Sequence, residues 1–145
     1  MKKFKYEEVP VSFAHCTNTS CPLQDHCLRA LALKAMPAER LLVTIINPAH
    51  THEGEDCPHF LTDKPVAFAI GFTGMRNKMT GEQYQQFRKL MISHLGEFNY
   101  YNYRKGRRPI PPETRAVIDS FLREVGASTK ISYDREEKLL NWGEL

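Results

Sequence analysis

Residues 65–96, PVAFAIGFTGMRNKMTGEQYQQFRKLMISHLG, change their apolar period midway, and that change decides the fold class. The first eight, PVAFAIGF, form a continuous apolar run suited to a buried strand. From Thr80 the pattern turns helical. Thr80 and Gln83 match a capping box, Tyr84, Phe87, Leu90, Met91 and Leu95 make one apolar stripe, and Gly96 ends it.

Working outward, EFNYYNYR at 97–104 is aromatic and reads as a strand, with Tyr101 and Tyr103 on one face and Asn102 and Arg104 on the other. A turn at Gly106 leads to a second helix, with Pro112 near its first turn, a buried face of Ile118, Phe121, Leu122 and Val125, and Gly126 just past its end. KISYD at 130–134 reads as a last short strand, and REEKLLNW at 135–142 as a terminal helical turn. Upstream, RLLVTIIN at 40–47 is β-branched, apolar and closed by Pro48, so it predicts a buried strand pairing antiparallel with 65–72. From Pro22, residues Leu23, Cys27, Ala30, Leu31 and Ala35 recur at helical spacing up to Met36. Residues 1–15 read as irregular or extended. Helices and strands follow one another without repeated βαβ units, which predicts an α+β fold: a small antiparallel sheet, two or three packed helices and a Cys-rich N-terminal segment. At 145 residues the chain suits a single domain, with a Cys-rich metal-binding part at 1–60 and an α+β part carrying a basic turn at 61–145.

No apolar run approaches the ~20 residues of a membrane span. MKKFKYEEVPVSF places two glutamates and a proline where a signal peptide carries its apolar region, so the expectation is a cytoplasmic protein with reduced thiols. The net charge of +3 comes from the second half: residues 1–72 hold seven Lys/Arg against eight Asp/Glu, and residues 73–145 hold thirteen against nine.

Cys16, Cys21, Cys27 and Cys57, spaced C-x4-C-x5-C-x29-C, are all the cysteines there are. Scattered core cysteines have no reason to gather in the first 57 positions, so the clustering favours a shared task. Disulfides, a redox or catalytic thiol pair and unliganded packing remain open readings, but a four-thiolate metal site uses all four. Structural zinc prefers C-x2–4-C steps, and the wider C-x5-C step also suits a [4Fe–4S] cluster, whose ligands are often irregularly spaced. Zinc is the first expectation and iron–sulfur the alternative. Cys21 and Cys27 lie near a helix start that favours negative sulfur, and Cys57 is followed by a proline, as is common beside cluster ligands.

His15, His26, His50, His52 and His59 neighbour the cysteines in sequence, so a Cys3His site is an alternative ligand set. The His50-x-His52 pair after a strand is similar to metallo-β-lactamase-type hydrolases. Those enzymes continue with an Asp-His pair where this chain has Glu53, Gly54 and Glu55, and four thiolates leave no open coordination position for hydrolysis. No phosphate-binding, dinucleotide-binding, nucleophile-elbow or zinc-protease motif is present, no catalytic residue is assigned, and nothing demands enzymatic activity.

NYYNYRKGRRPIPPETR at 99–115 gathers Tyr101, Arg104, Lys105, Arg107 and Arg108. Tyrosines offer stacking faces and arginines phosphate contacts, so this turn is a candidate surface for nucleic acid or for a protein partner. A net charge of only +3 confines such binding to a local patch. The leading reading is a regulatory or adaptor module with a mainly structural metal site. A redox sensor and a nucleic-acid binder are the alternatives.

Two segments, HCTNTSCPLQDHCLRALA at 15–32 and YYNYRKGRRPIPPETRAVIDSFLREVG at 100–126, together resemble a family of small uncharacterised bacterial proteins, a domain of unknown function. Cys16, Cys21 and Cys27 match its cysteine cluster, and Tyr101, Arg104, Gly106 and Arg108 match its turn. The resemblance implies a bacterial cytoplasmic protein in which both segments belong to one unit, and it implies no activity.

Overall fold

The structure is a computed structural model, and it describes residues 4–50, 52–128 and 133–143. Its regular elements are α1 (Leu28–Ala35), β1 (Val66–Ile70), α2 (Gly81–Leu95), α3 (Glu97–Arg104), α4 (Pro112–Glu124) and β2 (Arg135–Leu139), joined by short 3-10 turns. Among the described residues, four helices and a two-stranded antiparallel sheet make the fold α+β, as the sequence predicts. None of the described helices is long and apolar enough to cross a membrane.

The chain forms two compact units, residues 66–139 and residues 1–65 with 140–145. In the first, β1 and β2 pair in the register Val66↔Leu139 to Ile70↔Arg135, and Ile110 bridges the other side of β1 through Ala69, with N–H···O distances of 3.0 and 2.8 Å. On this small sheet pack Phe72, Met75, Phe87, Met91, Tyr100, Tyr103, Ile118 and Leu122, all buried. Each such side chain contributes about 1.5–3 kcal/mol by leaving water. The predicted caps are in place: Thr80 accepts from the Gln83 N–H at 3.1 Å, Gln83 accepts from the Thr80 N–H at 3.0 Å, and Pro112 opens α4.

Three elements differ from the sequence expectation. Residues 97–104 are a helix, not a strand. Gly96, at φ 85°, breaks α2, and the buried tyrosines are Tyr100 and Tyr103, three apart on one helical face, rather than Tyr101 and Tyr103. Glu97 in the first turn and Arg104 in the last suit the helix dipole and were the legible signal. Residues 135–139 are a strand, not a helical turn. Arg, Glu and Lys have good helix propensity, but here they line an exposed edge, where charge discourages further strand pairing. KISYD falls largely outside the described residues.

The third difference is the segment at 40–47, which is not a buried strand. It makes one parallel bridge, Ile45 to His15, and leaves Leu41 94% and Leu42 85% exposed. β-propensity reports fit to a pleated, half-buried surface, and β1 is instead flanked by β2 and Ile110.

In the other unit, Phe13, Leu28 and Ala32 are buried with Phe4, Val9, Leu61, Leu140 and Trp142 against them. Trp142 meets Phe4 and Phe13 edge-on, with ring centroids 5.0 and 5.1 Å apart. The Leu28 N–H donates to Leu61 O at 2.8 Å, tying the start of α1 to the segment that leaves the Cys57 loop.

Candidate functional site

Four separate pieces of backbone carry the cysteines. Cys16 follows the extended residue His15, and its N–H donates to Arg29 O at 3.2 Å. Cys21 opens a turn closed by the Gln24 N–H to Cys21 O bond of 3.2 Å. The helix expected from Pro22 starts later, at Leu28, so Cys27 is its N-cap residue; it is buried and extended, and its thiol makes no capping bond. Cys57 ends the 3-10 turn Gly54–Asp56. Ser20 Oγ donates to Glu53 Oε1 at 2.6 Å, joining the Cys21 loop to the Cys57 loop.

These pieces converge. Cys16, Cys21, Cys27 and Cys57 line one cavity, whose walls include Ile46, Phe60, His52 and His59. Its volume of about 20 Å³ has room for one water-sized body, since a water needs ~10–15 Å³ on the same measure. All four thiols are free. Among the described residues, no three His, Cys, Asp or Glu side chains already stand close enough together to hold a metal ion. Ligation at Zn–S distances of about 2.3 Å therefore requires the thiols to turn inward.

Sequence reasoning missed Arg29. Its Nε donates to His59 O at 2.8 Å and its Nη1 to Ala14 O at 2.9 Å, while its guanidinium lies 4.9 Å from the centre of the Phe13 ring. One side chain thus links the Cys16 arm, α1 and the Cys57 loop. Burial pulls the guanidinium below its usual pKa, and the neighbouring Cys27, Cys16 and Cys57 act the other way. Arg29 is accordingly the positive charge closest in role to a counter-ion for this thiol cluster. The available signal was a lone arginine two residues after Cys27, beside the cysteine cluster.

The histidines separate. His52 and His59 line the cysteine cavity, and with His50 they line an open neighbouring groove. His15 is buried; its Nδ1 donates to Thr44 O at 2.9 Å, which leaves Nε2 to accept from Tyr6 Oη at 2.9 Å, so both nitrogens are engaged. His26 faces solvent, with Nδ1 3.4 Å from the buried carboxylate of Asp63.

The basic segment lies in the 66–139 unit. Gly106, at φ 75°, turns the chain after α3, and the Arg107 and Arg108 N–H groups both donate to Asn102 O, at 2.9 and 3.2 Å. Arg108 is committed locally, donating to Asn99 Oδ1 at 2.9 Å and covering the Tyr103 ring. Lys105 and Arg107 are exposed, while Tyr101 and Arg104 are half-buried.

No curated protein and no solved structure matches the chain. The family of unknown function DUF6078 matches residues 1–142, nearly the whole of the 145-residue chain, and the chain belongs to that family.

Proposed function

We propose that residues 1–65 form a thiolate metal-binding module in which Cys16, Cys21, Cys27 and Cys57 hold a single zinc ion. The ion is mainly structural, and the protein acts as a binding or regulatory module. The observation that carries this reading is the convergence of all four cysteines, from four backbone segments, on one cavity sized for one small body. A single tetrahedral ion uses all four thiolates and needs no cluster assembled beforehand, which favours zinc over a [4Fe–4S] cluster. Four thiolates around Zn²⁺ leave two negative charges, and Arg29 offsets one of them from within the site. Such an ion clips the Cys16 arm and α1 to the Cys57 loop, and metal-binding free energy then becomes folding free energy.

The test is elemental analysis and an absorption spectrum of anaerobically purified protein, repeated on Cys57→Ser. The expected result is near-stoichiometric zinc without colour, with lower metal content and a lower melting temperature in the variant. Iron with sulfide absorbance would replace zinc by the cluster. Unchanged metal content and melting in Cys57→Ser would refute the site, and metal-free wild type that reversibly loses thiols to oxidant would put a redox sensor in its place.

A further inference from the structure

The helical conformation of residues 97–104 creates a surface that a strand does not. Positions 98, 101 and 105 fall on one side of α3 and its C-cap, because residues three and four apart are neighbours on a helix. Tyr100 and Tyr103, on the other side, are buried in the core. Phe98 is 80% exposed, an uncommon position for a large ring in a unit that buries Phe68, Phe72 and Phe87 and half-buries Phe121.

Tyr101, one turn further along α3 than Phe98, has two cations at its ring. Arg88 on α2 donates from Nη2 to Tyr101 Oη at 2.7 Å and lies 5.8 Å from that ring's centre, and Lys105 Nζ approaches the same ring at 5.9 Å. Tyr84 lies one turn before Arg88 on α2, and the Arg76 guanidinium is 5.4 Å from the centre of the Tyr84 ring. Among the described residues, none of Arg76, Arg88 or Lys105 is in a carboxylate salt bridge. Aromatic contact holds these side chains, and Glu97 acts on Arg88 electrostatically without forming a salt bridge to it.

We propose that this face of α2 and α3 binds single-stranded nucleic acid, with Phe98 stacking on a base and Arg88, Lys105 and Arg76 meeting phosphates. An exposed ring beside cations outside salt bridges is the combination that sequence-tolerant strand binding uses, because every base has a π-face and every phosphate a charge. An acidic protein partner would use the same cations but would have to supply an apolar pocket of its own for Phe98, whereas any base offers the ring a stacking face. The surface differs from the sequence candidate: Arg108 is spent on Asn99 and Tyr103, while Phe98, Arg88 and Arg76 enter. It is independent of the cysteine site.

Fluorescence anisotropy of the full chain with a labelled oligothymidylate, over a series of salt concentrations, tests this. Phe98→Ala, whose ring lies outside the core, should weaken binding about 5- to 150-fold with an unchanged salt slope, the range of one lost base stack. The double variant Arg88→Gln/Lys105→Gln should flatten the salt slope by about 1.4, at ~0.7 per phosphate contact on a single strand. Lys138→Gln on β2 removes the same kind of charge elsewhere and should leave both unchanged. Circular dichroism melting of each variant verifies folding. No binding by wild type, equal binding by all four proteins, tighter binding to duplex, or tighter binding to polyglutamate would each overturn the proposal, the last in favour of an acidic protein partner.

Discussion

Replacing Arg29 by methionine keeps much of the side-chain volume and removes the fork that joins Ala14 O, at 2.9 Å, to His59 O, at 2.8 Å. Each hydrogen bond involves a charged donor and so contributes about 1.5–3 kcal/mol, and the stacking of the guanidinium on Phe13 adds about 0.5–1 kcal/mol. Arg29 is only half-buried, so water regains access to the two carbonyls and recovers part of that sum. We expect a net loss of about 3 kcal/mol, a large share of the ~5–15 kcal/mol that holds a domain folded. At roughly 4 °C per kcal/mol for a unit of this size, the melting temperature should fall by about 12 °C. The assay is urea unfolding at saturating zinc, with hydrogen exchange to locate the change. Protection should fall at residues 14–16 and 57–60 and persist around Phe87 and Tyr100. Arg29→Lys keeps the charge but has no planar fork, so it should recover less than half of the loss. A methionine variant within about 0.5 kcal/mol of wild type, the usual range for an unremarkable surface change, would refute the claim that Arg29 organises the site.

Two further outcomes test the 66–139 unit. Gly71 is at φ 72°, and a Cβ there meets the Asp134 carboxylate that also accepts from Thr73 N and Oγ1, so Gly71→Ala should cost about 3 kcal/mol by urea unfolding. In an Asp134→Ala background the same substitution should cost only the backbone part, about 1–2 kcal/mol, and equal costs in both backgrounds would deny the clash. Burial, aided by Asp119 and opposed by Arg115, pushes the Tyr133 phenol up to about 12, while burial and the hydrogen bond with Tyr84 raise Tyr100 above its usual value. A phenol whose folded pKa exceeds its unfolded value of ~10 releases its proton more readily when unfolded, so stability is fully present below pH ~10 and falls as pH rises toward 12. Melting temperatures across that window should decline, and Tyr133→Phe should flatten the decline. A flat wild-type profile would count against the raised values.

Much of what positions the molecule was written locally. The capping box of Thr80 and Gln83, the proline opening α4 and the glycines after α2 and α4 specify helix ends through bonds and dihedrals that span only a few residues, so sequence alone determined α2 and α4. The confinement of four cysteines to residues 16–57 was equally legible, because it is a property of spacing. What only the tertiary structure decided depended on partners distant in the chain. EFNYYNYR is a helix because Tyr100 and Tyr103 find a core between α2 and α4. RLLVTIIN is not a sheet strand because β1 is flanked by β2 and Ile110, and REEKL is a strand because β1 supplies its ladder. Arg29 belongs with these, since an arginine in a helical pattern reads as a solvated residue until folding brings the carbonyls of Ala14 and His59 within reach of its two arms. Local sequence sets conformational preference at about 1 kcal/mol per residue or less, whereas burial and long-range hydrogen bonds are worth several, so wherever the two disagreed the tertiary contacts prevailed.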